Sequence, residues 1–185
     1  MISKRKIFWA TSLFLLFISL CACSEIDKTG VNLPNYVNFN QLTDGYGVEN
    51  AVDDDCVVLA DSKLISGEDM WNSFITTIEK KQACCVRIAR YYSIEDNLCL
   101  IDLSYVDSSF SVNTSDGFSA TYKYLNKYET DVKSSDSGHS IIECFVLVNR
   151  KNITYQEIER AMTSSILSND DAIDYYIVYS SIRSL

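Results

Sequence analysis

Cys56-Val57-Val58-Leu59-Ala60, followed by Ser66-Gly67-Glu68-Asp69-Met70-Trp71 and then by Ala83-Cys84-Cys85-Val86-Arg87-Ile88, is the stretch that decides the fold. The first run is short, apolar and bounded by Asp55 and Asp61, which reads as a buried strand. Ser66 is a good helix N-cap, and Glu68 and Asp69 suit a first turn. Met70, Trp71, Phe74, Ile75 and Ile78 recur at helical spacing, which predicts a helix to about Lys81. From Ala83 to Tyr92 the period becomes two: Cys84, Val86, Ile88 and Tyr92 share one face, and Arg87 and Tyr91 the other. The domain therefore opens as strand, helix, strand.

Downstream, strands are expected at Leu98 to Tyr105 and at Phe110 to Val112, with a hairpin turn at Ser115-Asp116-Gly117. Phe118 to Tyr128 alternates as one strand, and Glu129 to Ser140 is polar and Ser-rich, which reads as a loop. Ile141 to Val148 is apolar on both faces apart from Glu143, the pattern of a central strand. Thr154-Tyr155-Gln156-Glu157 is a capping box opening a helix with Ile158, Ala161, Met162 and Ile166 inward. Asp174 to Ser180 closes the chain as a strand. The expected fold class is α+β: an antiparallel-rich sheet of about six or seven strands with two helices packed on one face. Val57 to Met70 also aligns without gaps on Phe145 to Ile158. The echo has two readings, an ancient duplication or the shared grammar of strands, turns and caps.

The first 25 residues read as an address. Lys4, Arg5 and Lys6 precede an apolar run from Ile7 to Leu20, then Leu20-Cys21-Ala22-Cys23-Ser24. A basic start, a short apolar core and a small residue before the cut form a secretory signal. The run is shorter than the ~20 residues that a membrane span needs. The motif resembles the lipobox of bacterial lipoproteins, with cleavage after residue 22. That resemblance implies Cys23 as the lipidated residue, bearing palmitate-type acyl chains. Two or more chains anchor a protein stably. The implied location is the extracytoplasmic face of the cell membrane. Residues 23–55 show little periodicity and read as a flexible tether, leaving 56–185 as a single domain. Trp71 and Phe74, Val86-Arg87 with Tyr91-Tyr92, Tyr122-Lys123-Tyr124-Leu125 and Asp171-Ala172-Ile173-Asp174-Tyr175 resemble small lipoproteins of Gram-positive anaerobes. That group has no assigned activity, so the resemblance adds no site residue beyond Cys23.

Composition narrows the partners. The net charge is −9, and loss of Lys4, Arg5 and Lys6 with the leader takes it to −12. A chain this acidic repels polyphosphate, which argues against nucleic acid. Of seven cysteines, Cys21 leaves with the leader and Cys23 is acylated. Cys56, Cys84, Cys85, Cys99 and Cys144 read as small buried hydrophobes, with one disulfide as the alternative. No CxxC occurs and His139 is the only histidine, so no metal and no cofactor is implied. Neither a nucleophile elbow nor a phosphate loop is present. Asp102 and Glu143 stand out because both fall within apolar strands.

The leading expectation is thus a non-enzymatic binding domain, with Tyr122, Tyr124, Tyr128, Tyr175, Tyr176 and Tyr179 as its candidate surface for a protein or a cell-wall glycan. One alternative is an envelope hydrolase using a carboxylate pair that includes Asp102 or Glu143. Another is an immunity or inhibitor protein whose acidic charge suits capture of a basic toxin.

Overall fold

The computed structural model describes residues 36–134, 138–163 and 173–184. The leader, Cys23 and Ile166 lie outside them. The fold is α+β, as expected, but it uses two sheets. The larger comprises β1 (Val57–Ala60), β2 (Lys63–Ser66), β3 (Cys84–Tyr92), β4 (Asn97–Val106), β5 (Ser109–Thr114) and β6 (Ser119–Tyr122), in the order β2-β1-β3-β4-β5-β6. The smaller comprises β7 (Tyr124–Ser134), β8 (Gly138–Val148) and β9 (Tyr175–Ser184), with β8 central. The described helices are α1 (Val48–Asp53), α2 (Glu68–Glu79) and α3 (Tyr155–Thr163), plus a 3-10 turn at Phe39–Gln41.

β1 and β3 pair in parallel, and every other ladder is antiparallel. A parallel pair needs a crossover, and α2 supplies it. The inner face of the large sheet (Val57, Leu59, Val86, Ile88, Ile101, Leu103, Val112) packs with Trp71 and Phe74 of α2. Phe145, Leu147, Val178 and Tyr179 of the small sheet complete the same core. The sheets also meet at both seams: Lys123 N donates to Val148 O (3.3 Å), and Ile182 N to Ser62 O (2.8 Å).

The expectation of helices on one face is corrected. α2 lies in the central core, whereas α1 covers the opposite face of the large sheet through Ala51, against Val58, Ala89 and Leu100. α3 covers the outer face of the small sheet, where Ile158 meets Cys144, Val146 and Val148. The cause is strand alternation. Both sheets are apolar on two faces, so each needs cover on both sides.

Local expectations also change. The tether expected over 23–55 is built into the fold from residue 36, because Tyr36, Phe39, Leu42, Tyr46 and Val48 pack on the Val58–Ala89 face. Residues 63–66 add a strand, β2, between the first strand and the helix of the expected strand, helix, strand opening. Asp61 and Ser62 both take positive φ (46° and 60°), the backbone of a two-residue type I′ hairpin. Gly67, not Ser66, caps α2. Its φ is 84°, and an added Cβ would sit 2.5 Å from Cys56 O.

The strand expected over 118–128 breaks at Lys123, so that β6 and β7 join different sheets. The loop expected over 129–140 is largely ladder, with Thr130, Asp131 and Val132 opposite Ile142, Ile141 and Ser140. Its polar composition reflects an end of the hairpin that extends past the core, where ladder bonds and exposed polar contacts such as His139–Asp131 hold the strands.

The echo does not extend to topology. β1 pairs in parallel with β3, the strand that follows α2, whereas β8 and β9, on either side of α3, are antiparallel. The capping box at Thr154 does form: Thr154 N donates to Glu157 Oε2 (2.8 Å), and Glu157 N to Thr154 Oγ1 (3.3 Å).

Candidate functional site

The tyrosines do not form an exposed patch. Tyr122 and Tyr179 are buried, at 1% and 3% exposure. Tyr176 packs against the central core, while Tyr124, Tyr128 and Tyr175 are half-buried on the opposite, α3 side of the small sheet. Their hydroxyls are largely spent inside the fold. Tyr128 donates to Ile153 O (2.6 Å), and Tyr122 to Asp174 Oδ1 (3.3 Å). A sheet with two covered faces consumes its tyrosines as packing, and the Tyr176 hydroxyl likewise turns inward, accepting from Arg90 Nη2 at 3.0 Å.

Asp102 and Glu143 are not brought together. Asp102 faces Arg87 across β3 and β4 and accepts from Nε (2.6 Å) and Nη2 (2.8 Å). Arg87 Nη1 donates to Val37 O (2.8 Å), and the rings of Tyr36 and Phe39 flank the guanidinium at 4.8 and 4.7 Å. Every nitrogen of the buried fork is bonded, so Asp102 belongs to a structural clip.

Glu143 lies elsewhere, in a groove of about 410 Å³ between α2 and the small sheet. One stripe of α2 forms its first wall: Glu68, Trp71, Asn72, Ile75, Ile78 and Glu79. Leu125 and Lys127 of β7, Glu143 and Phe145 of β8, and Tyr179 of β9 form the second. Such a volume lies in the range of small-ligand seats. Trp71 stacks on Tyr179 at 4.8 Å and on Phe74 at 5.6 Å, with Phe145 edge-on at 4.9 Å. Both faces of the indole are thus covered. The buried Trp71 Nε1 has no hydrogen-bond partner among the described residues.

The electrostatics of the groove turn on Lys127. Glu129 and Glu143 stand directly opposite each other in the ladder, and Lys127 Nζ bridges them at 2.9 and 2.6 Å. The Glu143 contact, then the Glu129 contact, raises the lysine pKa, and Lys127 in turn holds the Glu129 carboxyl below its usual range. Glu68 and Glu79, at the two ends of the helix wall, make no ion pair among the described residues. The groove therefore carries unspent negative charge at Glu68 and Glu79.

Elsewhere the chemistry is quiet. Burial pushes the thiols of Cys56, Cys84 and Cys144 up to about 11, and that of Cys85 up to about 12, which keeps them protonated and unreactive. His139 Nδ1 lies 3.3 Å from Asp131 at an exposed hairpin end. Among the described residues, no three His, Cys, Asp or Glu side chains converge to hold a metal ion.

Of the sequence candidates, then, Glu143 and Tyr179 reach the groove. Glu68, Trp71 and Glu79 were visible as helix residues but carried no signal of a site. No family model, curated protein or solved structure matches this chain.

Proposed function

We propose that this protein is a non-enzymatic binding domain, held at the extracytoplasmic face of the cell membrane by a lipid on Cys23, with its ligand seat in the groove between α2 and the small sheet. The anchor rests on Leu20-Cys21-Ala22-Cys23 following a basic, apolar leader. The single observation supporting the seat is the groove itself, with Ile75, Ile78 and Leu125 half-exposed beside unpaired carboxylates at Glu68 and Glu79. Half-exposed aliphatic side chains next to polar groups that no neighbour satisfies are what a ligand would complete. Binding is favoured over hydrolysis because Asp102 is engaged by Arg87 and Glu143 by Lys127.

Two experiments test this reading. Metabolic labelling with palmitate should mark the wild-type chain and not Cys23→Ala; a labelled variant would refute the anchor. A screen of fragments and short peptides, followed by amide chemical shifts, should perturb residues 68–79 and 125–145 together. Shifts that never cluster there would refute the seat.

A further inference from the structure

Glu68 and Glu79 bracket the helix wall of the groove. They are eleven positions apart on α2, which is three turns plus roughly 20°, so they point along one face about 16 Å apart. Glu79 sits in the last turn, at the negative end of the helix dipole, and forms no ion pair with the C-cap Lys80 or with Lys81 beyond it. Its charge opposes helix stability and stands beside the groove. Lys127 pairs with Glu129 and Glu143 and makes no ion pair with either helix carboxylate.

The floor selects further. A sugar needs a free aromatic face to stack on, and both faces of Trp71 are covered by Tyr179 and Phe74. Ile75, Ile78 and Leu125 offer aliphatic contact instead.

We infer that the groove takes an extended peptide segment with two basic side chains four residues apart and an apolar side chain midway between them. An extended chain advances ~3.3 Å per residue and alternates its side chains, so a spacing of four puts both basic heads and the apolar residue on one side over about 13 Å, and the flexible stems of lysine or arginine span the rest of the way to Glu68 and Glu79. The lysine or arginine heads pair with the two carboxylates, and the apolar residue rests on Ile75 and Ile78. The negative charge of the whole chain steers such a segment towards it. This rests on the groove being the ligand seat.

The test uses the full-length chain in nanodiscs of zwitterionic phosphatidylcholine, so that lipid charge does not recruit the probe. The probes are two amidated pentapeptides with leucine at the third position. One carries lysine at the first and fifth positions, the other glutamine. The lysine peptide should shift groove amides and bind at least ten-fold more tightly than the glutamine peptide. Its Kd should rise about three-fold in each of Glu68→Gln and Glu79→Gln and about ten-fold in the double variant, and several-fold more at high salt.

Equal groove binding of both peptides, unchanged in the double variant, would overturn the charge pairing and leave the seat intact. Binding of the lysine peptide at Asp53 to Asp55 instead would overturn the pairing with the groove. Failure of both peptides to shift any groove amide would overturn seat and pairing together.

Discussion

Arg87 and Asp102 occupy opposed positions on neighbouring strands, and their side chains close a two-pronged bond at 2.6 and 2.8 Å. The same guanidinium holds Val37 O and sits between Tyr36 and Phe39. One buried side chain therefore fastens the N-terminal segment to the large sheet.

Arg87→Ala should destabilise the domain by about 3–5 kcal/mol, the usual cost of breaking a buried ion pair by removing one partner. Arg87→Lys should lose much of the same, because an ammonium cannot reproduce the planar fork. Both should expose residues 36–55 to protease before the core unfolds. Urea midpoints and limited proteolysis check this. Simultaneous loss of the segment and the core would contradict the clip.

Gly67→Ala should cost about 3 kcal/mol. The new Cβ would meet Cys56 O at 2.5 Å and Val57 Cα at 2.7 Å, both backbone atoms, at a φ of 84°. Overpacking contributes about 1–3 kcal/mol and the left-handed backbone about 1–2 kcal/mol. A thermal midpoint lowered by on the order of 10 °C is expected. A shift under 2 °C would mean that the β2–α2 junction relaxes.

Much of the architecture was legible in the sequence, for physical reasons that differ by element. α2 and α3 announce themselves because Trp71, Phe74 and Ile78, and Ile158 behind its Thr154 cap, repeat at the helical period. The tight turns at Asp61-Ser62 and Asp107-Ser108 were not legible. They take positive φ at both residues without the glycine that normally marks such turns. The break at Lys123 was hidden because strand alternation continues across it, although Tyr122 enters the central core and Tyr124 the α3 side. Glu143 stood out as a charge in an apolar strand, but its partner Lys127 depends on the β7–β8 register, which pattern alone does not fix. The groove brings together residues from about position 68 to 179, and no local period encodes that meeting.

Lys127→Met should leave Glu129 and Glu143 facing each other without a cation. Like charges directly opposed destabilise a ladder by up to about 1 kcal/mol. The loss should be greatest near pH 7 and shrink as pH falls through the carboxylate range, because repulsion raises the proton affinity of the pair. Adding Glu129→Gln should restore most of it. Urea midpoints at pH 7 and pH 4.5 measure both effects. A deficit that grows on acidification would rule out the repulsion.

Acid should weaken the native fold through four named carboxylates. Backbone and side-chain donors of Ser93 hold Asp61 below its usual range; the Thr114 hydroxyl, then the Phe118 amide, does so for Asp116. The Thr154 amide and hydroxyl hold Glu157 down, and Lys127 holds Glu129 down. Each group binds a proton less readily folded than unfolded. Its contribution is therefore fully present above the ordinary carboxylate pKa of about 4 and is lost as pH falls through the lower folded value. Relief of the net charge of −9 acts in the opposite direction, but it is long-range and is screened by salt. At moderate salt the urea midpoint should hold between pH 7 and 5 and fall below about pH 4. Asp61→Asn should lower the midpoint at pH 7 and flatten the acid limb, since that variant has one fewer low-pKa group to protonate. A midpoint that climbs steadily from pH 5 to pH 3 would show charge repulsion to outweigh these bonds.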